Sequence, residues 1–257
     1  MRTATRIDYD AIAHVYDAQP YRGKAVDPAL LSFLEQRTER SPPSILNIAC
    51  GTGSQLVENR SIVAGAHLVG LDRSLGMLRQ ARPKATGIAW VQSDAVLLPF
   101  RPKSFDFISC QFAFHHVPDK AAMLREVFRV LRRDGRFVMR NLCPHEHPDW
   151  LYYDYFPEAR TIDFMDFWPL ERIVTTMEAS GFAVIVVEPE HLRFEQDLCA
   201  WLDMVRQRHL NSQLMAISDS SYAAGISRLE RDVNDESWPQ VRPDHLCLIT
   251  IRGDKRI

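Results

Sequence analysis

The residues with the clearest chemical potential sit where apolar runs end. Gly51-Thr52-Gly53 directly follows the run Ser44 to Ile48, Asp72 closes His67 to Leu71, and Asp94 follows Ile88 to Gln92. Glycines let backbone pass close to a ligand and turn N–H groups toward it. A carboxylate at the end of the second run suits two ribose hydroxyls, and one after the third suits an adenine amino group. A pyrophosphate fits less well. The dinucleotide fingerprint needs a third glycine where Leu56 stands, and the Gly-Lys-Ser/Thr of a P-loop is missing. The loop suits a nucleoside instead.

Histidines supply the second kind of chemistry. His115 and His116 follow the fourth run, Phe105 to Cys110, and His145-Glu146-His147 follows the fifth, Arg136 to Leu142. An imidazole there can take a proton from a hydroxyl, a thiol or an acidic carbon. A bland role in packing competes with each assignment. Cys143-x-His145-x-His147 lacks a settled zinc spacing, so no metal is expected. The aromatics between Trp150 and Trp168 read as part core and part pocket wall, which would suit an apolar or aromatic ligand.

These residues need a frame, and the pattern of the chain describes one. Pro28 to Glu35 reads as a helix with Asp27 as its cap and Pro28 in first position. Met123, Leu124, Val127, Phe128 and Leu131 share one helical face, opposite Arg125, Glu126, Arg129 and Arg132, and Asp134-Gly135 should end that helix. Pro169 to Ser180 is helical and Gly181 caps it; Phe182 to Val187 is a sixth strand. Residues Phe194 to Arg231 read as inserted helices, with Trp201, Leu202, Val205 and Leu210 on one face, before a last strand, His245 to Ile251. Strands alternating with helices predict a mostly parallel sheet covered on both faces. Its ligand belongs beyond the carboxyl ends of the strands.

Bulk properties narrow the field. In 257 residues, 31 Lys and Arg oppose 33 Asp and Glu, a formal net charge of −2. That offers no basic field for a polyanion, so a nucleic-acid partner is not expected. Five scattered cysteines without a C-x-x-C pair argue against a disulfide framework and for a reducing cytoplasm. Met1 to Arg6 leads into Ile7-Asp8-Tyr9-Asp10 without an apolar signal segment, and no run approaches the ~20 apolar residues of a membrane span.

Ile45-Leu46-Asn47-Ile48-Ala49-Cys50-Gly51-Thr52-Gly53 resembles motif I of the class I S-adenosylmethionine-dependent methyltransferases. Val69-Gly70-Leu71-Asp72-Arg73-Ser74-Leu75-Gly76-Met77-Leu78 is similar to their second motif. Ser93-Asp94-Ala95 through Leu98-Pro99-Phe100 and Ser104-Phe105-Asp106 resembles the third, and Leu131 to Phe137 their approach to strand five. Tyr9-Asp10-Ala11-Ile12-Ala13-His14-Val15-Tyr16-Asp17 is similar, more loosely, to an N-terminal signature of small-molecule members. The resemblance implies a Rossmann-like α/β domain with a seven-stranded, mostly parallel sheet and an antiparallel last strand. It is one domain over 1–257, with an N-terminal cap (1–43), a cofactor core (44–142) and a helical insertion or lid (194–240).

The same resemblance implies S-adenosyl-L-methionine as cofactor. It places Asn47 and the Ala49, Cys50, Gly51, Thr52, Gly53 backbone at the methionine part, Asp72 and Arg73 near the ribose, Met77 against adenine, Asp94 and Ala95 at its edge, and Gln111 near the amine. His115 and His116 are the candidate catalytic groups, and the implied acceptor is a small molecule. The Asn/Asp-Pro-Pro-aromatic segment of nucleic-acid amino-methylating members would fall at Gln111-Phe112-Ala113-Phe114, which does not match it.

Two positions depart from the pattern. Asn47 replaces the usual Asp or Glu, and Ala49 the usual glycine. Losing a charged acceptor near an ammonium costs about 1–2 kcal/mol. Alanine at 49 is comfortable with φ below zero. Two alternatives accompany the enzyme reading: a cofactor-binding regulatory or partner protein that does not methylate, and a different enzyme on the same nucleoside pocket.

Overall fold

The computed structural model describes residues 7–18, 25–39, 41–147 and 149–256. Residues 1–6 and 19–24 of the expected cap lie outside the described residues. The chain divides into two compact units. One comprises Tyr9–Asn141, Glu171–Glu188 and Ile249–Ile257; the other comprises Met1–Asp8, Leu142–Leu170 and Pro189–Leu248.

Among the described residues, seven strands form one sheet: β1 (Ser44–Ile48), β2 (His67–Asp72), β3 (Ile88–Gln92), β4 (Phe105–Gln111), β5 (Leu131–Leu142), β6 (Ala183–Asp197) and β7 (Val241–Asp254). Their order is β3-β2-β1-β4-β5-β7-β6, with all parallel except the last, as the sequence implied. Helices α1 (Tyr9–Ile12), α2 (Pro28–Gln36), α3 (Ser54–Asn59), α4 (Leu75–Ala81) and α5 (Lys120–Val130) accompany the first five strands. Helices α6 (Leu151–Tyr155), α7 (Pro157–Asp166) and α8 (Leu170–Ala179) precede β6; α9 (Leu198–Val205), α10 (Ser212–Ala216) and α11 (Asp219–Asn234) precede β7. No described helix is long and apolar enough to cross a membrane.

The central strands are buried along their whole length, as strands covered on both faces must be. Register then does the positioning. Ile48 pairs with Leu71 on one side and with Cys110 on the other. The residues that follow them, Ala49 just beyond β1 and Asp72 and Gln111 as the last residues of β2 and β4, therefore stand at one level. The cleft begins there.

Helix α5 ends earlier than the sequence suggested. Val130 is its last residue and Leu131 opens β5, so Leu131 and Arg132 are strand residues. Asp134-Gly135 forms an irregularity inside that strand instead of a helix stop: Asp134 has φ +58°, and a Cβ on Gly135 would meet the Asp106 carbonyl at 2.9 Å. Asp254 and Lys255 tie the start of β5 to the end of α5. Arg136 donates to both carboxylate oxygens of Asp254 (2.7 and 3.2 Å), and Lys255 Nζ donates to the Phe128 and Leu131 carbonyls.

The last two strands are also longer than expected. Phe194 to Asp197 continue β6, and helix begins only at Leu198. In the second unit the aromatics Tyr152, Tyr155, Phe156 and Trp201 are core, packed with Leu202, Val205, Leu214 and Leu229.

Candidate active site

The turn after β1 is built from three left-handed residues: Ala49 (φ +53°), Gly51 (φ +55°) and Gly53 (φ +77°). This conformation is free for glycine and strained for alanine. The condition under which alanine at 49 is comfortable, a negative φ, is therefore not met. Close packing explains two of the glycines nearby. The Trp90 ring fills the space where a Cβ on Gly53 (2.3 Å) or on Gly70 (2.5 Å) would stand. Gly51 is different, because a Cβ there would meet only Tyr16, at 3.8 Å. Its backbone borders open space that a ligand can use.

Asp72 closes β2 beside this turn. Its Oδ2 accepts the Gly51 N–H at 2.7 Å and its Oδ1 accepts the Ser74 N–H at 2.9 Å. Burial raises its pKa, and those two N–H groups and Arg73 work against the shift. Each oxygen keeps a second lone pair for a hydroxyl donor.

A cleft opens over these atoms, partly enclosed by the turn after β1 and the ends of β2 and β4. It is lined by Ala49, Gly51, Asp72, Arg73, Met77, Asp94, Ala95, Gln111 and His116, all expected site residues. An adjoining depression shares Ala49, Gly51 and Gln111 and adds Asn47, Cys50 and Thr52. Among the described residues, Arg73 is the one Lys or Arg lining the cleft, so these residues would neutralise a pyrophosphate poorly. The donor set fits a nucleoside: a carboxylate for the ribose, and Met77, Ala95, Val117 and Pro118 as apolar faces for a base.

Some expected residues act from behind. Thr52 is buried and its Oγ1 donates to Asp17 at 2.6 Å. The Cys50 thiol is buried in the core beneath the turn, and burial pushes its pKa well up. Asn47 donates from Nδ2 to Ser109 Oγ at 2.8 Å. Asp94 turns Oδ1 inward to its own loop, accepting the Val96 N–H at 3.1 Å.

The two histidines separate. His116 lines the cleft, with Nε2 2.7 Å from the Tyr9 hydroxyl. His115 is buried away from the lining, with Nδ1 3.2 Å from Asn141 Oδ1. Burial holds it neutral, its pKa well below the usual value, with His116 and Lys120 adding to that effect. In the second unit, His145 Nε2 lies 2.9 Å from the Phe167 carbonyl and His147 packs on the His245 ring.

Sequence reasoning missed Tyr9, Tyr16 and Phe112 as lining residues. The first two lie in the N-terminal segment already quoted for its resemblance, so a signal existed. That segment is pinned to the turns: Asp10 accepts from Ser74 Oγ and the Gly76 N–H, and Asp17 pairs with Lys84.

Comparison with known proteins agrees with this geometry. The methyltransferase-domain family model matches residues 46–139. The demethylmenaquinone methyltransferase of Thermus thermophilus is 34% identical over 128 residues, 48% of this chain and 54% of that protein. Its counterpart from Roseiflexus is 30% identical over 171 residues, 56% of this chain and 70% of that protein. The chain spans about half the length of most of the curated relatives it matches. The solved phosphoethanolamine N-methyltransferase 2 of Haemonchus contortus, in complex with S-adenosyl-L-methionine, shares the fold. Its TM-score is 0.61 at 18% identity, over 96% of this chain and 57% of that one.

Proposed function

Since the chain belongs to the class I S-adenosylmethionine-dependent methyltransferases, we propose that it transfers a methyl group to a small apolar or aromatic molecule. The observation that carries this is Asp72, buried at the cleft floor and braced by the Gly51 and Ser74 N–H groups. The cofactor supplies an electrophilic methyl on a sulfonium. The protein's task is then to align an acceptor, exclude water and, where needed, take a proton.

This chain's residues divide that work. Asp72 would hold the ribose by accepting from its hydroxyls. Met77 and Ala95 would give the base apolar surface, and Asp94 would accept from it. Tyr16, held over Gly51, and Phe112 narrow the opening and keep water out. His116, hydrogen-bonded to Tyr9, is the group in the cleft able to receive a proton from an acceptor hydroxyl. His115 orders the same turn through Asn141 and takes no proton. The names of the Thermus and Roseiflexus relatives favour a quinone-like ring as acceptor.

The strain at Ala49 and the turning of Asn47 onto Ser109 favour a second reading, a cofactor-binding protein without turnover. Turnover separates the two. With S-adenosyl-L-[methyl-³H]methionine and a panel of hydroquinones and naphthols, label should move into the organic phase. No transfer above a protein-free control, at saturating cofactor, supports the second reading.

A further inference from the structure

The depression beside the turn lacks the carboxylate that motif I usually supplies, because position 47 is asparagine, whose Nδ2 donates to Ser109. A carboxylate from elsewhere in the chain hydrogen-bonds to Gln111, which lines that depression. We propose that Asp27 supplies the missing negative charge, acting through Gln111 to hold the cofactor's ammonium group. The inference rests on the cofactor assignment above.

Asp27 precedes α2 and is 4% exposed. Its Oδ1 caps the helix by accepting the Ala29 N–H at 2.9 Å. Its Oδ2 faces the other way and accepts from Gln111 Nε2 at 3.0 Å. Gln111 lines both the main cleft and the depression that contains Asn47. One Nε2 N–H goes to Asp27, which fixes the amide so that Oε1, an acceptor, is on its opposite branch, while Nε2 keeps a second N–H. An acceptor backed by a carboxylate suits an ammonium; the reverse orientation would repel it.

Further contacts hold Asp27 in place. Its N–H donates to Asn59 Oδ1 at 2.8 Å, and Gln55 Nε2 donates to the same oxygen and to the Ala25 carbonyl. Gln55 itself lines the depression. Burial raises the Asp27 pKa despite the hydrogen bonds from Ala29, Gln111 and Leu30 and the nearby charge of Arg140. A buried carboxyl in that condition is short of positive charge, which a bound ammonium would provide.

Helix capping alone is the competing explanation, and substitution separates the two. Asparagine and serine cap helices about as well as aspartate, so Asp27→Asn and Asp27→Ser keep the cap and remove the charge. Each variant is titrated calorimetrically with S-adenosylhomocysteine and with 5′-methylthioadenosine, which shares the nucleoside and thioether but lacks the amino-acid group. The expected result is at least a tenfold loss for S-adenosylhomocysteine and less than a twofold change for 5′-methylthioadenosine, with the unligated melting temperature near wild type. Removing a negative charge would not weaken contacts to the ligand's own carboxylate, so such a loss reports the ammonium. Unchanged binding of both ligands, or equal loss of both, overturns the proposal. Wild-type protein that binds neither ligand overturns the cofactor assignment, and the proposal with it.

Discussion

The Gly51 N–H donates to Asp72 Oδ2 at 2.7 Å, joining the turn after β1 to the end of β2. The bond spans 21 residues of sequence and fixes a left-handed glycine against a buried carboxylate. Parallel register brings the two together, since Ile48 and Leu71 pair three residues before Gly51 and one before Asp72. A ligand hydroxyl that reaches Asp72 thus meets an acceptor whose position is already set.

Ala49 is the strained member of that turn. At φ +53° an alanine costs roughly 1 kcal/mol that a glycine would not. Ala49→Gly should raise the melting temperature by about 2–4 °C, as read by calorimetry on unligated protein. An unchanged or lower melting temperature would show that the turn relaxes at no cost.

Gly70 tests the packing under the turn. A Cβ there would stand 2.5 Å from the Trp90 ring and 2.9 Å from Cys50 Sγ. Gly70→Ala should lose about 1–3 kcal/mol in urea unfolding. Trp90→Leu in the same chain should return part of that loss. Additive losses would place the strain elsewhere.

His116 and Tyr9 bear on proton removal. His116→Gln and Tyr9→Phe should each lower kcat by roughly a hundredfold or more with an acceptor that must lose a proton. The KM for S-adenosylmethionine should move far less. A loss confined to KM would make the pair a cofactor contact only.

Asp163 sets a pH dependence. It is buried, accepts the Tyr153 hydroxyl at 2.9 Å, and burial with the charge of Asp166 pushes its pKa up to about 7. The folded chain therefore keeps this proton longer than the unfolded chain, whose carboxyl has the ordinary value of 3.8. Stability is full below that unfolded value and falls as pH rises toward 7, by as much as ~4 kcal/mol. Asp163→Asn keeps an acceptor without the charge. Its melting temperature should match wild type near pH 4 and exceed it at pH 8. Parallel curves would mean that Asp163 ionises without cost.

Much of the site was legible because it lies at strand ends, where motif spacing and topology agree. Asp72, Met77, Asp94, Ala95, Gln111 and His116 all reach the cleft. What was not legible depends on contacts between distant positions. Asp27 reads as a cap from its neighbours, yet its bond to Gln111 spans 84 residues. Trp90 looks like one more strand aromatic until its ring is seen filling the space beside Gly53 and Gly70. The outer half of β6 escaped because Pro189 to Glu195 are exposed along both faces. Without one buried face, a strand leaves no alternation to read.

The most direct test is calorimetric titration of the full chain with S-adenosylhomocysteine, repeated on Asp72→Ala. The structure predicts saturable one-to-one binding that the substitution weakens at least tenfold. No binding by wild type at millimolar ligand, or equal affinity in the variant, would contradict the assignment of this cleft.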